Sequence, residues 1–198
     1  NMLRLSEKLF MQDPQSRYID FYERVMFNHI LSSQHPEKGG FVYFTPMRPQ
    51  HYRVYSQPHE NFWCCVGSGI ENHARYSQAI YATQNDAIHV NLFVASQLNW
   101  SDKNIRLIQH TRFPESEKSQ LKLEMSSAQS FALRIRQPHW LASEKMEVRI
   151  NGKKQSLQAD ALGYIEIKRK WRNNDIVDIN LPMETKMEYL PDGSPWAS

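Results

Sequence analysis

The chain has 198 residues, 40% of them hydrophobic and 23% charged, and 24 basic against 21 acidic side chains leave a formal charge of +3. This composition excludes a disordered, collagenous or coiled-coil chain, and no run of about 20 apolar residues is present to cross a membrane as a helix. The surplus charge sits in residues 101–198, which carry 16 basic and 13 acidic side chains against eight and eight in residues 1–100, too few and too mixed for a nucleic-acid groove.

Taken in chain order, Leu3, Leu5, Leu9 and Phe10 predict the end of a helix over 2–11. Asp13-Pro14 is a start signal, Asp as N-cap and Pro at the first helical position, for a helix over about 14–33 with Tyr18, Phe21, Tyr22, Val25 and His29 on its apolar face. Pro36 and Gly39-Gly40 break it, and residues 41–63, rich in proline and aromatics, predict a long structured loop of the kind that often carries function. A third helix is expected after Cys65, with Ser68 and Glu71 as a capping box and Ile70, Ala74 and Tyr81 carrying the apolar face to about Ala82.

Beyond residue 85 the period changes to two. Ile88, Val90, Leu92 and Val94 alternate with other residues, as do Leu121, Leu123 and Met125; Phe131, Leu133 and Ile135; Met146, Val148 and Ile150; and Ile165 and Ile167. Ile176 and Ile179 mark a further strand. Asn151-Gly152 is the strongest hairpin signal in the chain. The expectation is an α+β chain: an incomplete helical domain over 1–84 followed by an antiparallel β-sandwich over 85–198. Three helices make a poor core, so more helical protein is expected upstream. With no leader pattern before Asn1-Met2-Leu3-Arg4, the chain reads as a piece of a longer protein whose compartment is not fixed by its sequence.

The chemistry concentrates in Glu60-Asn61-Phe62-Trp63-Cys64-Cys65-Val66-Gly67-Ser68-Gly69, which holds both cysteines of the chain. Adjacent cysteines rarely bridge each other, because the ring is strained. Placed just before a helix N-terminus they favour thiolate, the form needed for metal binding and nucleophilic attack. Two inert, packed thiols remain the competing reading. A zinc site needs four ligands, and His59 and His73, although close in sequence, are more often core or surface histidines. Trp63, Trp140 and Trp171 read as packing residues, and Lys168-Arg169-Lys170 as a solvated strand end.

The segment Phe62-Trp63-Cys64-Cys65-Val66-Gly67-Ser68-Gly69-Ile70-Glu71-Asn72-His73 resembles the cysteine-pair motif of glycoside hydrolase family 127, the β-L-arabinofuranosidase-like family. Asn1-Met2-Leu3-Arg4-Leu5 resembles the stretch just after the family's Glu-x-Cys motif, and Tyr22-Glu23-Arg24 and Phe41-Val42-Tyr43-Phe44-Thr45-Pro46-Met47 resemble two intervening family segments. Val90-Asn91-Leu92-Phe93, Arg134-Ile135-Arg136-Gln137-Pro138-His139-Trp140 and Asn151-Gly152-Lys153 resemble its sandwich. The resemblance implies the C-terminal helices of an (α/α)6 barrel followed by the sandwich, and a retaining glycosidase with a zinc-held cysteine nucleophile acting on an arabinose-containing glycan. Carried over, Cys64 is nucleophile and zinc ligand, Cys65 a second ligand, and Glu23 and Tyr43 are sugar contacts. The family's Glu-x-Cys ligands and its acid/base Glu belong upstream of Asn1, so the isolated chain is expected to be inactive. A non-catalytic carbohydrate-binding sandwich and a structural zinc module are the competing functions.

Overall fold

A computed structural model describes residues 2–46, 50–141 and 146–189; Asn1 and Met47 of the motifs above lie outside the described residues. The fold is mixed, with four α-helices and two sheets. It divides into two compact units: one of Asn1–Phe93, Ser130–Arg136 and Ala159–Lys170, the other of Val94–Gln129, Gln137–Gln158 and Trp171–Ser198.

In the first unit, α1 spans Met2–Gln12 and α2 spans Ser16–Val25, the latter continued by a wider π turn over Met26–Ile30 and a tight 3-10 turn over Leu31–Ser33. Asp13 is not the cap: Gln15 occupies that position without a side-chain cap bond, and its amide instead donates to the Asp13 carboxylate. The buried stripe of this helix is Ile19, Tyr22, Glu23 and Met26, spaced i, i+3, i+4 and i+7, while Phe21 faces solvent. A carboxylate thus occupies a core position of an amphipathic helix, which requires a buried counter-charge.

Helix α3 spans Cys64–His73 and α4 spans Ser77–Ile80. The N-cap position lies five residues before Ser68, the expected first residue of the capping box. Trp63 is the N-cap residue and makes no side-chain cap bond, so Ser68 is interior. The buried face is Val66 and Gly69 rather than Ile70, which is exposed, because Phe41 packs directly on the glycine. The helical expectation to Ala82 fails at Tyr81, where β1 (Tyr81–Gln84) begins; it pairs antiparallel with β2 (Ala87–Val90) through a turn at Asn85, whose φ is +52°.

The four-stranded sheet runs β1-β2-β6-β9, with β6 at Gln129–Arg136 and β9 at Tyr164–Trp171. The expectation of wholly antiparallel strands is corrected here: β2 and β6 are parallel, Ile88 opposite Leu133 and Val90 opposite Ile135. A parallel pair needs a long crossover, and the intervening residues supply one. Ile88, Val90, Leu133 and Ile135 are fully buried.

In the second unit a six-stranded sheet runs β3-β4-β5-β10-β7-β8 (Ser96–Trp100, Ile105–Thr111, Lys118–Met125, Ile176–Asn180, Glu147–Ile150 and Lys153–Lys154). One face buries Leu107, Leu121, Leu123, Val148, Val177 and Ile179; the other presents charged pairs such as Arg106–Glu124. Asn151-Gly152 closes the β7–β8 hairpin with φ of +49° and +78°, the left-handed pair that a two-residue primed turn demands. Trp171 is fully buried and Trp140 stacks on Phe113 at 5.4 Å. Lys168, Arg169 and Lys170 are exposed on β9. No helix among the described residues is long and apolar enough to cross a membrane.

Candidate active site

Cys64 and Cys65 are the first two residues of α3, with Cys64 exposed and Cys65 half-buried. Neither is in a disulfide, and their sulfurs stand 3.5 Å apart. Both cysteines sit at the positive end of the helix dipole. The Cys64 thiol beside Cys65 raises the Cys65 pKa, with burial adding to the shift, so Cys65 keeps its proton longer.

The donors suit a thiophilic cation. Two thiolates on tetrahedral zinc at about 2.3 Å lie about 3.8 Å apart, close to the separation seen here. Among the described residues no third His, Cys, Asp or Glu joins them, so this segment supplies two of the four ligands such a site needs. His73 Nδ1 donates to the Gly69 carbonyl at 2.6 Å, and His59 sits in a loop with φ of +70°.

Tyr43 meets Trp63, the residue that precedes the pair in the chain. Its ring meets Phe44 at 4.6 Å and, edge to face, Trp63 at 6.5 Å, and it is half exposed rather than a core residue. Its strand segment is fixed by bridges from Phe41 to Gln34 and from Val42 to Tyr55, and by the Phe41 N–H donating to Ser56 Oγ at 2.9 Å. A cavity of about 610 Å³ opens on the other side of this segment, lined by Phe41, Phe62, Val66, Ile70 and His73 among others. The helix is tied to α1 by an Arg4–Glu71 ion pair and by Arg75, 3.8 Å from Glu7.

Glu23 lies on the buried face of α2. It is not on a solvated helix face: its carboxylate pairs with Arg136 Nη2 at 2.5 Å, and both side chains are buried. Arg136 is the residue sequence reasoning missed. Its role depends on a contact between residues 113 apart, and nothing local marks it.

Residues 1–78 match the sequence model of the β-L-arabinofuranosidase GH127 catalytic domain, and residues 87–183 that of the GH127 middle domain. The chain therefore belongs to glycoside hydrolase family 127. Among solved structures it is similar to Ara127N-Se, a GH127 β-L-arabinofuranosidase from Geobacillus stearothermophilus T6, with a TM-score of 0.82 and 24% identity over 98% of this chain and 32% of that one. It is also similar to a protein described as a glycoside hydrolase (TM-score 0.80, 22% identity, 94% of this chain and 32% of that one). A GH127 β-arabinofuranosidase, BT3674, gives a TM-score of 0.78 and 24% identity over 94% of this chain and 31% of that one. The chain thus spans about a third of the length of these structures. No curated protein sequence matches it.

Proposed function

We propose that the protein bearing this chain is a retaining glycoside hydrolase acting on β-L-arabinofuranosides in arabinose-containing glycans, with Cys64 as its nucleophile. The observation that carries this reading is the pair of free thiols 3.5 Å apart at the start of α3, inside the segment matched by the catalytic-domain model. In this reading residues 1–84 are the C-terminal part of an (α/α)6 barrel and 85–198 a β-sandwich domain.

Cys64 attacks the anomeric carbon as thiolate. The C–S bond forms as the glycosidic C–O bond breaks, and the departing oxygen takes a proton from an acid supplied by the rest of the protein. Water then attacks the same carbon, giving its proton to the conjugate base of that acid; the C–S bond breaks, the Cys64 thiolate is regenerated and the sugar leaves with its configuration retained, as when a carboxylate is the nucleophile. Zinc, when bound by Cys64 and Cys65, would hold the sulfur in place and lower its pKa. Glu23 and Tyr43 contact the sugar. The 198 residues alone are inactive, because the described residues supply only half of a zinc ligand set.

The test is release of arabinose from a β-L-arabinofuranoside by the intact protein, beside Cys64→Ser and Cys65→Ser. Release by the intact protein, none by Cys64→Ser, and loss of bound zinc in Cys65→Ser are expected. Zinc bound tightly with no release from any arabinofuranoside would favour a structural metal. Sugar bound but not cleaved, with no dependence on Cys64, would favour a carbohydrate-binding module.

A further inference from the structure

Arg136 is the most completely enclosed charge among the described residues, and each arm of its guanidinium has a directed partner. Nε donates to the Asn91 carbonyl at 2.6 Å, Nη1 to Asp20 at 2.5 Å and Nη2 to Glu23 at 2.5 Å. Phe93 lies 5.8 Å beneath the guanidinium carbon. Burial alone would lower the pKa of this group; Glu23 and Asp20 more than offset it, so the charge is held. Asn91 is itself fixed. Its side chain accepts from the buried Tyr164 hydroxyl at 2.7 Å, and its N–H donates to the Ile80 carbonyl at 2.9 Å.

Asp20 and Glu23 are i and i+3 on α2, one turn apart on one face. The planar fork of Arg136 holds both, which a lysine could not do with the same geometry. A second point fixes the same helix. The turn before β9 meets its first residue, with Ser16 N–H donating to the Leu162 carbonyl at 2.8 Å. Gly163 comes so close to Ser16 that an added Cβ would lie 2.7 Å from the serine Cβ. That turn is tied down by Asp160, which accepts from the N–H groups of Leu162 at 2.9 Å and Tyr164 at 3.0 Å.

Arg136 and Asn91 lie in the stretch matched by the middle-domain model, Glu23 and Asp20 in that matched by the catalytic-domain model. We infer that Arg136 is a positioning residue through which the middle domain sets where the Glu23 carboxylate stands. The catalytic consequence rests on the reading above that Glu23 contacts the sugar. A rigid three-point anchor on the guanidinium transfers its precision to the carboxylate. The middle domain then contributes to turnover without touching substrate.

The experiment is a double-mutant cycle on the intact, zinc-loaded protein, reading kcat/KM on a β-L-arabinofuranoside for the wild type, Glu23→Gln, Arg136→Lys and the double variant. Arg136→Lys should lower kcat/KM about tenfold or more when Glu23 is present and less than about twofold when it is Gln. Ile88→Val in the neighbouring strand β2 controls for general loosening and should stay within about twofold of wild type. Equal losses from Arg136→Lys in both backgrounds would overturn the inference and leave Arg136 as packing. Should Arg136→Lys fail to fold, Arg136→Gln combined with Asp20→Asn removes one charge of each sign and carries the same comparison. If the wild type cleaves no arabinofuranoside, the proposed function fails independently of Arg136. The anchor is then read from a crystal structure of Arg136→Lys: a displaced Glu23 carboxylate supports it, and an unmoved one overturns it.

Discussion

Two glycines in one helix should respond in opposite directions to the same added methyl group. Gly67 and Gly69 both lie inside α3, where replacing glycine by alanine gains about 1 kcal/mol from backbone entropy and helix propensity. At Gly67 the new Cβ would meet only the Phe62 ring, at 3.7 Å, an ordinary contact. Gly67→Ala should therefore stabilise by about 1 kcal/mol. At Gly69 the new Cβ would stand 2.5 Å from Phe41 Cε1 and 2.9 Å from Cγ, against about 3.5–4.0 Å for unstrained carbons. The ring cannot simply withdraw, because Phe41 is held by its N–H to Ser56 Oγ at 2.9 Å and by the Ser56 N–H to its carbonyl at 2.8 Å. Overpacking of this kind costs about 1–3 kcal/mol, so after the helix gain Gly69→Ala should be neutral to about 2 kcal/mol destabilising. The two variants should differ by about 1–3 kcal/mol, read from urea midpoints of the intact protein at equal slope. Stabilisation by both, to the same extent, would refute the close seating of Phe41 on α3.

Burial, helped by Arg134 and opposed by Asp160, lowers the His89 pKa from 6.5 to about 4. The unfolded chain then binds the proton first on acidification. This part of the stability is complete above about pH 6.5 and is lost as the pH falls to about 4, up to about 3 kcal/mol in all. His89→Phe, which keeps a ring between Phe10 and Tyr164, should flatten that loss in denaturant titrations at pH 7 and pH 4.5; an unchanged loss would place the titration elsewhere. Gly163→Ala imposes a side chain at φ of +81° against Ser16 and should cost about 1–3 kcal/mol, part of it returned by Ser16→Gly; no recovery in the double variant would show that the cost is conformational alone.

Helix and strand content was legible where burial follows a simple period. The strands carrying Leu121, Leu123 and Met125 and carrying Val148 and Ile150 bury one alternate row, and the Asn151-Gly152 turn announces itself. Strand β4 was hidden because Gln109 occupies its buried row, satisfied by donating to the Val94 carbonyl at 2.8 Å, while Ile108 points to the other face. Edge strand β3 alternates only through Leu98 and Trp100. On α2 the apolar face was misplaced by one step, because a buried Glu23 reads as polar until its partner 113 residues away is known. The cysteine pair was legible from its motif. Its position inside the first turn of α3 was not, since Ser68 and Glu71 mimic a cap that Trp63 pre-empts.

The most direct measurement is peptide mapping by mass spectrometry of the intact wild-type protein, acid-quenched during turnover of a β-L-arabinofuranoside with a fast leaving group. We expect a pentosyl adduct on the peptide containing Cys64-Cys65, located on Cys64 and absent in Cys64→Ser. An adduct on a carboxylate, or turnover undiminished in Cys64→Ser, would contradict the assignment of Cys64 as nucleophile.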